Sequence, residues 1–193
     1  SSLGKGILEG TISPGAYREF EIYDPKRRII HAPSFRDRVF HHAIMLQAGK
    51  WIDRSLIDDS FACRKGKGSI AAVHRAQHFS RRFPWYVKVD VHQYFPSVAH
   101  SILMSRLARR FKGRGFLSLL GRVVGSFASG PGHGLPIGAL TSQYFANLYL
   151  DKADRWLLAL PSVRGLVRYM DDTVCWLETK KEATTIIREL NSF

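Results

Sequence analysis

Asp171 and Asp172 stand side by side in Arg168-Tyr169-Met170-Asp171-Asp172-Thr173-Val174, with apolar residues on both sides. Adjacent carboxylates repel each other and are costly to desolvate. A chain that buries their flanks and still keeps both charges usually has a cation to place there. A third carboxylate, Asp90, follows Trp85-Tyr86-Val87-Lys88-Val89. One carboxylate at a strand end and a pair on a hairpin suit a two-metal phosphoryl-transfer site. In such a site two Mg2+ ions about 4 Å apart activate a 3′-hydroxyl and stabilise leaving pyrophosphate. Mg2+ takes hard oxygen ligands, few of them from protein and the rest from phosphates and water. The plain alternatives are a solvated Asp-Asp turn, since Asp favours turns, and a structural salt bridge at Asp90. No isolated basic partner for Asp90 is obvious in the sequence.

The flanking segments supply the scaffold. Leu166-Val167-Arg168-Tyr169 and Thr173-Val174-Cys175-Trp176-Leu177 read as short strands, which puts the aspartate pair on a tight hairpin. In the segment before Asp90, Val87, Val89 and Val91 share one face and Tyr86, Lys88 and Asp90 the other. Phe20 to Tyr23 and Arg28 to Ala32 flank the turn signal Asp24-Pro25-Lys26 and read as a hairpin. From Arg36 to Ile57, apolar Val39, Ala43, Ile44, Trp51 and Leu56 suggest a helix. Ser69 reads as the cap of a second helix to Arg82, with Ile70, Val73 and Ala76 inward. Val98–Phe111 and Thr141–Leu160 read as two more, the latter packing through Phe145, Leu148, Trp156 and Leu160. Strands with backing helices, not alternating βαβ units, define an α+β arrangement.

These residues carry a resemblance. Tyr169-Met170-Asp171-Asp172 resembles the Y-x-D-D box of reverse transcriptases. Asp90 with Phe95 resembles the first palm motif, and Gly134-Leu135-Pro136-Ile137-Gly138-Ala139-Leu140-Thr141-Ser142-Gln143 resembles the next. Three ordered motifs over about eighty residues are specific where one box is weak. Arg36-Asp37-Arg38-Val39 and Phe61-Ala62-Cys63-Arg64-Lys65-Gly66-Lys67-Gly68 resemble fingers segments of bacterial members. The Ile-Gly start and Ser-Gln end of the middle motif depart from the common Q-G-x-x-x-S-P pattern. They resemble diversity-generating retroelement enzymes, where the departure is linked to error-prone copying opposite template adenines, and some allied bacterial lineages, whereas many group II intron enzymes keep the common pattern.

The resemblance implies a polymerase right hand. Residues 1–193 form one fingers–palm unit, about 1–85 mainly fingers and about 86–193 mainly palm, intertwined. It implies RNA-directed DNA polymerase activity, with Asp90, Asp171 and Asp172 as catalytic metal ligands for two Mg2+ ions, for which Mn2+ can substitute. By the same resemblance, Phe95 is expected to lie beneath the deoxyribose and exclude a 2′-hydroxyl. The resemblance implies that Arg28, Arg36, Gly138 and Gln143 face the nucleotide, with Lys26 and Arg38 as further candidates for the triphosphate. Arg64, Lys65, Lys67, Tyr169 and Met170 face template or primer. A solvated basic face, a flexible basic loop, a core phenylalanine and a polar contact at a helix start remain the alternatives for the basic residues, Phe95 and Gln143. The implied partners are an RNA template, a DNA or RNA primer, dNTPs and a small basic accessory protein. The chain reads as a fragment of a longer bacterial protein, without its helical thumb. Rival readings are a non-catalytic nucleic-acid-binding module, a template-independent phage-defence polymerase and an RNA-dependent RNA polymerase.

Bulk properties agree. The 193 residues are 45% hydrophobic, enough for a sizeable core. A formal charge of +13 favours a polyanionic partner. A membrane is the competing anion, but no apolar run approaches the ~20 residues of a span. Cys63 and Cys175 form no ligand-spaced pair, which fits a reduced cytoplasmic setting. His41-His42, His92 and His133 read as packed or solvated, Asp151 and Asp154 as a solvated helix face, and Asp58-Asp59 as a turn.

Overall fold

A computed structural model of the chain describes residues 4–6, 11–23 and 26–190. The chain divides into two interleaved units, Ser1–Ser55 with Gln93–Tyr149, and Leu56–His92 with Leu150–Phe193. No helix among the described residues is long and apolar enough to cross a membrane.

In the first unit, β1 (Arg18–Tyr23) and β2 (Arg27–Ala32) pair antiparallel as a hairpin. Asp24 and Pro25 of the expected turn lie outside the described residues. α1 (Phe35–Ser55) starts at Ser34, whose hydroxyl accepts from the Asp37 backbone N–H at 3.2 Å and donates to Asp37 Oδ2 at 2.8 Å. Phe40, Ile44, Ala48 and Ile52 form its buried stripe, at helical spacing. Val39 and Trp51, part of the apolar pattern that suggested the helix, are 41% and 62% exposed: they sit a quarter-turn off that stripe. The expected helix over Val98–Phe111 is shorter, α4 (His100–Arg110), preceded by one turn, α3 (Tyr94–Ser97). α5 (Arg114–Val124), which the sequence reading passed over, buries Leu119, Leu120, Val123 and Val124. α6 (Leu140–Ala159) carries Phe145, Ala146 and Leu148 into this core. Side chains lock the packing: His41 Nδ1 lies 2.8 Å from the Thr141 hydroxyl, and the Tyr94 hydroxyl donates to the Ala146 carbonyl at 2.6 Å. Burial holds the His41 imidazole below its ordinary pKa and so neutral, which makes it a packed histidine.

The second unit is a three-stranded antiparallel sheet in the order β3 (Trp85–Val89), β5 (Asp172–Leu177), β4 (Gly165–Tyr169). One face, with Val87, Leu166, Cys175 and Leu177, packs on Leu157 of α6 and on Ala183 and Ile186 of α7 (Lys180–Leu190). Thr179 and Glu182 cap α7 reciprocally, Thr179 N–H to Glu182 Oε2 at 2.9 Å and Glu182 N–H to Thr179 Oγ1 at 3.2 Å. The other face, with Val167 and Trp176, packs on Phe61 and on Ala72 and Phe79 of α2 (Ser69–Ser80). Gly165 permits this: a Cβ there would lie 2.4 Å from the Phe79 ring. Ser69 is the first helical residue of α2 and makes no cap bond; Gly68 precedes it with φ of 110°. Ile70 and Val73 point outward, 74% and 54% exposed, because Ala72 and Phe79 take the inner face.

Candidate active site

Register brings the three aspartates to one end of the sheet. β4 and β5 pair from Gly165↔Trp176 to Tyr169↔Asp172, so the turn holds only Met170 and Asp171. Asp171 thus lies in the turn, while Asp172, expected there too, is the first residue of β5. β3 pairs with β5 up to Val89↔Thr173, and the next residues outward are Asp90 and Asp172. Directly paired antiparallel residues share a face. Tyr86, Lys88, Asp172, Val174, Trp176, Val167 and Tyr169 therefore lie on one side. The half of that side near Trp176 is covered by α2, while the half near Asp172 stays open, with Tyr169 41% exposed.

The open half is electrostatically active. Lys88 Nζ lies 3.0 Å from Asp172 Oδ1. The Asp172 carboxylate holds the Lys88 ammonium above the ordinary lysine pKa, and Asp90 adds attraction. Lys88 lies two residues before Asp90, on the face the alternation assigned to both, and its ion pair is with Asp172. Three carboxylates at one sheet end are hard donors of the kind Mg2+ takes. Among the described residues no three His, Cys, Asp or Glu side chains converge as a finished metal cage. Mg2+ needs only one or two protein carboxylates and fills its shell from water and phosphate, so the donor set fits it. Removing Lys88 removes the cation that competes for Asp172. An exposed pair is worth about 0.2–1 kcal/mol. Lys88→Ala is expected to tighten Mn2+ binding about 1.5- to 5-fold, read by electron paramagnetic resonance titration without nucleotide; weaker binding would contradict the competition.

Behind the turn lies an ion pair that the sequence reading missed. Asp151 and Asp154, expected on a solvated face, are 5% and 1% exposed. Arg168, fully buried, donates from Nε to both Asp154 carboxylate oxygens at 2.8 Å and from Nη1 to the Met170 carbonyl at 2.9 Å. The available signal was an arginine inside the otherwise apolar run Leu166-Val167-Arg168-Tyr169, because a buried charge demands a partner. Burial pushes the Asp154 carboxyl up to about 6, against the pull of Arg168. Between about pH 4 and pH 6 the folded protein keeps a proton there that the unfolded chain releases. This residue's contribution to stability is thus full at low pH and is lost as pH rises through about 6. Urea melts of wild type and Asp154→Asn at pH 4 and pH 7 should show wild type losing ~2 kcal/mol relative to the variant on going to pH 7. A relative gain would contradict the assignment.

The remaining candidates fall into two groups. With the aspartates in the second unit lie Tyr169, Met170 and the basic loop. Arg64 Nη1 donates to the Ile57 and Ser60 carbonyls at 2.7 and 2.8 Å, and Lys67 Nζ pairs with Asp58 Oδ1 at 2.7 Å. These two cations brace their own loop, and Lys65 is the exposed one of the three. The loop is fastened to the outer edge of β4 by Phe61 N–H to Arg168 O and Arg168 N–H to Asp59 O, both 2.9 Å. In the first unit lie Arg28, Arg36, Phe95, Gly138 and Gln143. Phe95 O accepts from Leu135 N–H at 2.9 Å, and Ile137 O accepts from His31 N–H of β2 at 2.7 Å. Gly138, at φ of 117°, lies so close to β2 that a Cβ would sit 3.0 Å from Ile30. Phe95, the Gly134–Gln143 segment and the hairpin that bears Arg28 are therefore joined by backbone bonds. Phe95 is half-buried against Tyr94, while Arg28 and Arg36 are exposed and make no ion pair among the described residues.

An antiparallel sheet backed by helices, with carboxylates at one end and a glycine-bearing segment docked on a hairpin, is the fingers-and-palm architecture of template-copying polymerases. The family model "Reverse transcriptase (RNA-dependent DNA polymerase)" matches residues 23–193, and the chain belongs to that family. It is similar to the putative COX1/OXI3 intron 2 protein of Saccharomyces cerevisiae, 24% identical over 150 residues that cover 74% of this chain and 16% of that protein. It is similar to protein YkfC of Escherichia coli, 25% identical over 174 residues, 78% of this chain and 44% of that protein. Its fold matches apo telomerase from Candida tropicalis with a TM-score of 0.66 at 10% identity, over 98% of this chain and 50% of that one. The chain thus spans less than half the length of these two sequence relatives.

Proposed function

We propose that this chain is the catalytic fingers–palm part of an RNA-directed DNA polymerase, about 1–85 mainly fingers and about 86–193 mainly palm. What carries the reading is the register that gathers Asp90, Asp171 and Asp172 at one open sheet end. Asp90 and Asp171 would hold divalent metal, with Asp172 as the third carboxylate. Bound Mg2+, or Mn2+ in its place, supplies Lewis-acid stabilisation of the attacking and leaving oxygens. The chain's own part is to position: Tyr169 and Met170 flank the primer terminus, and Arg28 and Arg36 offer bidentate forks to triphosphate oxygens. Gly138 brings backbone close to the nascent pair, beside Gln143, while Lys65, with Arg64 and Lys67 bracing its loop, meets template phosphate. The 3′-hydroxyl of a primer then attacks the α-phosphate of a dNTP in line and pyrophosphate leaves, with charge stabilisation doing most of the catalysis. Template and primer, dNTPs and a small basic accessory protein are the partners, in a bacterial cytoplasm, and the variant middle motif suits error-prone copying.

Phe95 tests the sugar choice. Its ring would fill the space of a 2′-hydroxyl, and overfilling a packed site costs about 1–3 kcal/mol. Phe95→Ala should therefore raise ribonucleotide use relative to deoxyribonucleotide about 5- to 150-fold in single-nucleotide addition with Mg2+. An unchanged ratio would remove Phe95 from the gate. Preference for rNTPs by the wild type would instead favour an RNA polymerase.

A further inference from the structure

We propose that Arg168 is a positioning residue whose guanidinium, clamped between the Asp154 carboxylate and the Met170 carbonyl, fixes the peptide plane that carries Asp171. The proposal rests on the reading of Asp171 as a metal-holding carboxylate.

The peptide bond joining Met170 to Asp171 is planar and rigid. The Met170 oxygen and the Asp171 nitrogen belong to that one plane, so holding the oxygen sets where Asp171 begins. Arg168 Nη1 holds it at 2.9 Å. The hold is needed because Met170 has φ of 57°, a region that long side chains occupy at a cost. Such strain persists where the surroundings over-determine the backbone. Arg168 is itself anchored, with its N–H and C=O bonded to Asp59 and Phe61 and its side chain fully buried. Asp154, on α6, orients the guanidinium through two contacts of 2.8 Å.

Stability alone does not account for this arrangement. A buried ion pair is matched or exceeded in stability by well-packed apolar residues of similar volume. What apolar residues cannot supply is a directed donor for the Met170 carbonyl. Arginine has one to spare, because its planar fork presents several N–H groups in fixed directions. Lysine offers a point charge on a flexible stem and meets both partners only loosely. Arg168 lies on the face of β4 opposite Tyr169, so it acts on the site only through the backbone.

The test compares wild type, Arg168→Lys and the double variant Asp154→Leu with Arg168→Met. Readouts are thermal melting, hydrogen exchange of the 169–173 segment, and kcat and KM for dNTP in single-nucleotide addition. The double variant should melt within a few degrees of wild type. Its turn should exchange at least about tenfold faster, and kcat should fall about 10- to 100-fold, as displaced catalytic groups do. KM for dNTP should change less than about twofold. Arg168→Lys should fall between the two proteins on exchange and on kcat. Wild-type exchange in a well-folded double variant would overturn the clamp, and faster exchange with unchanged kcat would overturn its bearing on the site. If wild type itself adds no nucleotide, the polymerase reading fails, and exchange alone still decides whether Arg168 holds the turn.

Discussion

Asp171→Asn should lower nucleotide addition at least ~10³-fold, about 4 kcal/mol of lost transition-state stabilisation. The substitution is nearly isosteric and lies in a two-residue turn that is already half-exposed, so the fold has little reason to respond. What changes is charge: a neutral amide binds Mg2+ far less well than a carboxylate. The loss should appear in kcat, with primer–template affinity kept within a few-fold, since binding comes from the basic surface and its released counterions. Near-normal single-turnover rates in this variant would sink the metal assignment. A drop in binding equal to the drop in rate would recast Asp171 as a structural residue.

Arg168→Ala should destabilise the protein by about 3–5 kcal/mol, because removing one partner leaves the other charge buried and unmatched. The cost has three named sources. Asp154, 1% exposed, loses its counter-ion; the Met170 carbonyl loses a donor; and the void left by a fully buried side chain loses its packing. Protonation of Asp154 can relieve the first, so the penalty should be smaller at pH 4 than at pH 7. Urea midpoints at the two pH values measure this. A loss under 1 kcal/mol at both would mean that the pair is solvated in solution.

The chain was most legible where short-range pattern decides. The alternation through Val87 and Val89 gave the faces of β3, since a strand has one residue per side in strict turn. The hairpin was readable because apolar runs bracket Asp171-Asp172, although its turn falls one residue earlier, on Met170 and Asp171. Helix faces were harder. α1 has apolar residues at Val39 and Trp51 as well as at Phe40, Ile44 and Ile52, and composition cannot rank two competing stripes. Ile70 and Val73 lost the inner face of α2 to Phe79, which stacks at 5.2 Å on Trp176, a residue about a hundred positions away. Asp154 was misread for the same reason. Its spacing from Asp151 is that of a solvated face, and its partner Arg168 lies on another element. Long-range pairing chose between readings that the local sequence left equal.

On this reading, nucleotide addition by the chain copies an RNA strand into DNA. The most direct test offers the protein a DNA primer on a defined RNA template with Mg2+ and each dNTP singly. The expected result is addition of the nucleotide complementary to the next template base, with a mismatch appearing first opposite adenine. Addition that ignores the template sequence, or that continues when RNA is withheld, would contradict it and favour a template-independent polymerase. Tight RNA binding without any addition would contradict it as well and leave a binding module.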